Sequence, residues 1–428
     1  MLRVLSRSVS RPAGLPLAVA VLLMAFALPV KADAPLELGQ ATEMALERDS
    51  TIKGLNVRSE GLRERAVADG ALPDPEIVIG AEGLPVDNPV SSDMMTMYRV
   101  GVRQRFPAGD SRRLSREQTR FLAAATDHEA RARAEEVTLQ VRRAWLDWKL
   151  ATQVLELTRS AEEAFAELVE VTESRYRSGQ GRQMDISQAR LERARLEQRI
   201  LSKQAEAEAA RTALVRWTGE FPSGTGGPGN FPEWPEPGSR LAMLERIGKH
   251  PAVRADDERT EAGRIETSLA RQAYRPEWMV EAGYGHQRGS DPMGGRMSDK
   301  LFAMVSFNLP VFTGNRQDRQ VASARAELEA LDHDRGARLQ EYEGRMDRAN
   351  SDWNRFGQML ELYDNHLLPE ADRAFESTLS AYQSGRASFD ELIRTRLDRL
   401  DQRIGRLEAW RTRQAARIEL AYLAGDAS

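Results

Sequence analysis

Cysteine is absent from the chain of 428 residues, and with it go disulfide staples, thiolate metal sites and cysteine nucleophiles. A mature chain without cysteine also has no thiol to carry a lipid anchor at its start. Histidine is sparse. His128, His250, His286, His333 and His366 are scattered, and no two keep the His-x-x-x-His spacing that sets a ligand pair on one helix face. No glycine-rich phosphate loop leads into a helix and no G-x-S-x-G elbow occurs, so no catalytic residue, cofactor or resident metal is expected. Basic excess is lacking as well. There are 61 Lys and Arg against 65 Asp and Glu, which argues against a nucleic-acid partner. Long apolar runs are missing beyond the first residues. Any further membrane crossing therefore has to use strands, whose alternation hides inside a mean hydropathy of -0.54.

What is present starts with Arg3, Arg7 and Arg11, followed by the apolar run Leu15 to Leu28 and then Val30-Lys31-Ala32-Asp33-Ala34. Basic, apolar and small residues in that order are the recipe for export, so residues 1–32 are expected to be a cleaved signal peptide. A mitochondrial presequence or an uncleaved anchor is the other reading. The apolar core is short for a spanning helix, which needs roughly 20 residues.

Two copies of one pattern follow. Leu72-Pro73-Asp74-Pro75 answers Tyr274-Arg275-Pro276. Phe106-Pro107-Ala108-Gly109 answers Leu309-Pro310-Val311-Phe312-Thr313-Gly314, and Tyr176-Arg177-Ser178-Gly179 answers Tyr382-Gln383-Ser384-Gly385. The offsets are 201 from Pro75 to Pro276, 203 from Pro107 to Pro310 and 206 from Gly179 to Gly385. Near-constant offsets predict an internal duplication, with residues 33–218 as the first repeat and 239–425 as the second. Residues 219–238 are dense in proline and glycine. They are expected to link the repeats without a regular element.

Each copy reads helix, strand, strand, long helix, returning helix. Helices are expected over 36–70 and 237–273, both stopped by proline. The period then changes to two. Tyr98, Val100, Val102 and Phe106 form one row, broken by Gln104, and Arg99, Gly101, Arg103 and Arg105 form the other. Leu301, Ala303, Val305, Phe307 and Leu309 alternate with Lys300, Phe302, Met304, Ser306 and Asn308. The partner strands set Ile77, Ile79 and Ala81 against Glu76, Gly80 and Glu82, and Trp278, Val280, Ala282 and Tyr284 against Glu277, Glu281 and Gly283. Strands of this length with one apolar and one polar face suit a tilted membrane strand, although a solvent-exposed hairpin shares the pattern. If the apolar rows meet lipid, then Glu76, Glu82, Arg99, Arg103, Arg105, Glu277, Glu281 and Lys300 face the lumen. Four strands cannot close a barrel, and open edges are not tolerated in hydrocarbon. The smallest single-chain barrels have about eight strands, so two or more chains have to join.

From Arg112 to Arg177 there is no proline and one continuous mixed charged and apolar pattern, enough for a helix of roughly 95 to 100 Å. Gln317 to Tyr382 is similar, with Pro369 expected to break or kink it. Returning helices are expected over Met184–Trp217 and Ser388–Leu423. The fold class expected is thus a mixed α/β membrane protein in which long helices prolong a strand-built pore. The rival is an exported coiled-coil scaffold or adaptor without a pore, which leaves both strand pairs without purpose.

The order of these motifs resembles the TolC-type outer-membrane factors of tripartite efflux pumps across nearly all of the mature chain. The resemblance implies a homotrimer whose twelve-strand outer-membrane β-barrel is continued by an α-helical coiled-coil periplasmic barrel. It implies outer-membrane lipid around the strands, and a periplasmic adaptor protein and an inner-membrane pump as partners. Within the family the chain looks most like the heavy-metal branch that serves cation-exporting pumps of the resistance-nodulation-division class. Many members of that branch are lipidated, which a chain without cysteine cannot be. The resemblance also sets Tyr176 to Asp185 and Tyr382 to Asp390 at the periplasmic tips. There Asp185 and Asp390 either cap the returning helices or line a closed aperture with Arg177, Arg182 and Arg386 as ion-pair partners. Met94, Met95 and Met97 are close together near the first outer loop. Packing and soft-cation binding are the two readings of them.

Overall fold

The computed structural model describes residues 34–84, 86, 96–221, 225–232, 234–287 and 297–425. Residues 1–32, expected to be a signal peptide, and Met94 and Met95 lie outside them. The chain opens with a short strand β1 (Ala34–Leu36) and helices α1 (Leu38–Arg48) and α2 (Ser50–Gly70), then β2 (Glu76–Glu82), β3 (Met97–Phe106), α3 (Ser111–Arg177) and α4 (Gln183–Thr218). After β4 (Thr225–Pro228) the order returns with α5 (Arg240–Ile247), α6 (Pro251–Ala270), β5 (Trp278–Gln287), β6 (Lys300–Phe307), α7 (Gln317–Leu362), α8 (Leu368–Gln383) and α9 (Phe389–Leu423).

The leading segments are each two helices, not one. Asp49 ends α1 in extended geometry and caps α2, its carboxylate accepting the Ile52 N–H at 2.8 Å. In the second copy Pro251 restarts the helix after Gly248-Lys249-His250, since proline is favoured in a first turn, where its missing N–H costs nothing. The linker also departs from expectation. Despite its glycines and prolines, residues 225–228 form β4, which pairs in parallel with β1. An edge made of only a few residues tolerates proline where a ladder interior would not.

α3 spans 67 residues, about 100 Å of helix. A helix of that length is held by its partners rather than by propensity. Near the tips Phe165, Leu168, Ala189, Leu196, Phe375, Phe389 and Leu392 close one core between both hairpins. At mid-height Trp145, fully buried, packs with Leu36, Ala41 and Leu214, and its indole N–H donates to the Leu36 carbonyl at 3.3 Å. Pro369 does not end its helix. A π-turn at Tyr363–Leu367 widens the coil just before it, and Leu368 N–H reaches back to the Tyr363 carbonyl. The widened turn is seated against α9. A Cβ at Gly405 would lie 2.5 Å from the Tyr363 hydroxyl, and Asp364 receives Arg406 at 2.5 and 3.1 Å.

His250 is completely buried at the start of α6, between the rings of Tyr342 and Tyr422, each 5.0 Å away. Its Nδ1 accepts the Ala252 N–H at 3.1 Å. Burial pushes its pKa down to about 4 from the ordinary 6.5, and the Arg345 and Arg338 guanidiniums push the same way. The folded chain therefore binds fewer protons than the unfolded chain between these values. Stability is expected in full above pH 6.5 and to be lost as pH falls towards 4, by at most roughly 3 kcal/mol. Thermal unfolding of the detergent-solubilised protein across that range checks this. His250→Asn, which keeps a capping acceptor, should flatten the slope.

β2, β3, β5 and β6 form one antiparallel sheet in that order. The register aligns Ile79, Val100, Tyr284 and Leu301 in one row and Ile77, Val102, Ala282 and Ala303 in the next. The apolar rows of both copies thus share one face.

Candidate functional site

The two faces of the sheet are chemically opposite. On the apolar face Ile77, Ile79 and Leu301 are 74%, 80% and 87% exposed. At the end nearest the helices Phe106, Trp278 and Phe307 align across three strands, with Trp278 and Phe307 rings 4.8 Å apart. Tyr98 and Tyr284 stand on the same face towards the loops. An apolar band between aromatic rows matches a lipid-facing wall.

The opposite face carries the charged residues, and the register brings them together. Arg103 donates to Glu281 at 2.8 Å and lies 3.6 Å from Glu76. Arg105 lies 3.6 Å from Glu76 and 3.5 Å from Glu277, and Arg99 lies 2.8 Å from Glu82. Lys300 stands opposite Gly285 at the outer end and makes no ion pair among the described residues. Most of these pairs are exposed and contribute little each. Arg103 with Glu281 differs, because Glu281 is only 2% exposed. Removing one partner there leaves a buried charge, so Arg103→Ala is expected to destabilise by about 3 kcal/mol. The double change Arg103→Met with Glu281→Leu should recover most of that. Thermal melting of the purified protein separates the two variants.

Two glycines and one ring on this face were not singled out from the sequence. Gly101 pairs with Gly283, and Phe302 lies over both. A Cβ at Gly283 would be 2.3 Å from the Val100 carbonyl oxygen and 2.7 Å from Phe302 Cζ. The available signal was glycine inside alternating strands, which marks a close approach. Met97 covers Gly285 in the same way.

At the far end both hairpins turn on left-handed glycines, Gly179 at φ 78 and Gly385 at φ 74. The same pair of bonds closes each helix: Gly179 and Gln180 N–H to the Tyr176 and Arg175 carbonyls, and Gly385 and Arg386 N–H to those of Tyr382 and Ala381. Asp185 then serves the start of α4, its carboxylate accepting the Arg182 N–H at 3.4 Å. Asp390 does not cap α9. Ser388 and Glu391 do so reciprocally, at 3.2 and 2.8 Å. Asp390 instead accepts from Gln188 of the other hairpin at 3.3 Å and pairs with Arg394 at 2.5 Å. Within one chain Arg177, Arg182 and Arg386 make no ion pair with either aspartate among the described residues, and Arg386 Nε donates to Ser384 Oγ at 3.0 Å. Arg175 also joins the tips. Its guanidinium donates to the Tyr382 and Gln383 carbonyls at 3.2 and 3.4 Å and sits 4.8 Å from the Tyr382 ring centre. Those carbonyls end a helix, where a cation is favoured.

The profile of the outer membrane efflux protein family matches residues 41–220 and 245–426. No curated protein sequence matches the chain. Among solved structures it is similar to CusC, described for conformational changes accompanying folding and transmembrane channel formation, with TM-score 0.75 and 15% identity, covering 90% of this chain and 91% of that one. It is similar to the outer membrane protein VceC of Vibrio cholerae, with TM-score 0.74 and 16% identity over 91% of this chain and 96% of that one. The open MtrE outer membrane channel of Neisseria gonorrhoeae gives TM-score 0.74 and 17% identity over 91% and 88%. At these identities the likeness is one of fold.

Proposed function

Because this chain belongs to the outer membrane efflux protein family, whose members are outer-membrane channels with a long periplasmic helical barrel, we propose that three copies join their sheet edges and serve as the exit duct of a tripartite efflux system. The observation that carries the proposal is the sheet itself. Its apolar face is exposed, its other face is ion-paired, and β2 and β6 have open edges. Hydrocarbon accepts such a sheet only when the edges pair, and three copies of four strands give a twelve-strand barrel with the charged face inward. Residues 1–32 are removed on export in this reading. Residues 33–218 and 239–425 supply equivalent halves joined by 219–238. The role is conduction, with no reaction of its own.

The test is direct. The protein should fractionate with detergent-extracted outer membranes, migrate on gels as a heat-modifiable oligomer and conduct ions in planar bilayers. A soluble monomer without conductance would contradict the proposal. At the tips, a periplasmic adaptor and an inner-membrane pump are the partners proposed. For cargo we propose heavy-metal cations, on the sequence resemblance to the branch that serves cation-exporting pumps. A deletion strain more sensitive to divalent or soft metals than to organic toxicants supports that cargo, and the reverse order excludes it.

The aperture reading keeps Asp185 and Asp390, with Arg177, Arg182 and Arg386 as partners from neighbouring copies, and adds Arg175. Asp185→Ala combined with Asp390→Ala is expected to raise single-channel conductance modestly, since Asp390 also ties Gln188 across the hairpins. Unchanged conductance would leave both as helix-start residues.

A further inference from the structure

The two crossings from sheet to helix are not equivalent, and the difference leaves bulky apolar side chains standing out in the second repeat only. After β3 the chain turns through Pro107, Ala108 and Gly109, and Gly109 is packed under Gln272 and Arg275. After β6 it runs through Leu309, Pro310, Val311 and Phe312, and Leu309, Val311 and Phe312 are 67%, 68% and 90% exposed. So large an apolar patch calls for a partner.

This loop is not slack. Glu277 N–H donates to Asn308 Oδ1 at 2.6 Å, Val311 N–H reaches the Leu309 carbonyl at 2.9 Å around Pro310, and the Arg316 and Asp318 N–H groups both donate to the Thr313 carbonyl at 3.1 Å. Held in this way, Val311 and Phe312 do not fold back onto the chain. Their position names the partner. By alternation Leu309 continues the outward row that ends in the sheet at Phe307, beside Trp278. At about 3.3 Å per residue, Phe312 lies within roughly 17 Å of Phe307 along the chain. The loop therefore prolongs the lipid-facing wall just past its aromatic row, on the side where the helices leave. There acyl chains give way to headgroups, a zone that favours aromatic side chains.

We propose that Val311 and Phe312 form an interfacial anchor that dips into the inner leaflet of the outer membrane, one per protomer, and sets how deep the barrel sits. The inference rests on the reading of the outward row as lipid-facing, and the test separates the two. The chain has no native cysteine, so Phe312→Cys can carry a single nitroxide label in the full-length protein reconstituted into phospholipid vesicles. Val305→Cys, on the outward row and 58% exposed, is the reference. Collisions with oxygen report hydrocarbon and collisions with a water-soluble nickel chelate report water. A label at 312 should favour oxygen, at a shallower depth than at 305. Nickel contact at 312 with oxygen contact at 305 would overturn the anchor alone. Little contact with either reagent at 312 would mean that another copy covers the loop, which also overturns it. Nickel contact at both positions would overturn the lipid-facing reading as well.

Discussion

A chain carrying Gly283→Val is expected to yield almost no heat-modifiable oligomer and to be lost from the outer-membrane fraction. The reason is backbone against backbone. At Gly283 even a Cβ would stand 2.3 Å from the Val100 carbonyl oxygen and 2.6 Å from Gly101 Cα. Neither atom can swing aside as a side-chain tip could, because Gly101, Val100 and Gly283 are held in the β3–β5 ladder. Relief requires those strands to separate, and Phe302 to leave its place over the glycines as well. Overpacking of an ordinary core costs about 1 to 3 kcal/mol, and more where a backbone has to move. In an assembly of identical subunits the cost recurs in each copy. Gly344→Ala is the control, since nothing lies within 4 Å of its Cβ position on α7. That change should be neutral or slightly stabilising, as expected when alanine replaces glycine within a helix. Normal oligomer yield from Gly283→Val would mean that the sheet accommodates a different register.

The second large effect is expected at the tips. Arg175→Ala should raise single-channel conductance in planar bilayers several-fold and more than the double aspartate change does. Arg175 is one of two cations in the last turn of α3, and it donates to two terminal carbonyls of the second hairpin. It also lies against the Tyr382 ring. Hydrogen bonds to a charged group are worth about 1.5 to 3 kcal/mol, and less where water competes. Taking about 2 kcal/mol per copy, the closed arrangement loses roughly thirty-fold of its bias in each protomer. Arg175→Lys should restore part of it, because lysine keeps the charge beside the helix end but loses the planar guanidinium that lies against the Tyr382 ring. If Arg175→Ala conducts like the wild type, the contact only ties two hairpins within one chain, and the aperture is governed by contacts between copies.

The comparison of Arg175 with Asp390 shows where sequence reading stops. Asp390 stands just after a glycine turn, as a cap does, yet Ser388 and Glu391 take the capping bonds and leave Asp390 to reach the other hairpin. One residue of offset along a helix turns a side chain by about 100°, so position near a turn does not say which carboxylate faces the backbone. Arg175 carried no local sign of its role, because its partners lie 207 and 208 residues away. The charged strand face was more legible. Alternation had already put Arg103 and Glu281 on one side, and the structure added which arginine meets which carboxylate.

The sequence by itself determined the period of each element, the duplication and the face on which each strand residue stands. These follow from local spacing, and a strand's period of two leaves no freedom about which side chains share a face. The tertiary structure alone decided the strand within the proline-rich linker and the π-turn that absorbs Pro369. It also decided the glycine contact beneath Phe302 and the clamp made by Arg175. Each of these depends on which distant segment supplies the missing partner: a paired strand for β4, Gly405 for Tyr363, the end of α8 for Arg175. Register and packing between segments far apart in the chain arise only when the whole chain buries its apolar surface at once, and no window of sequence contains that information.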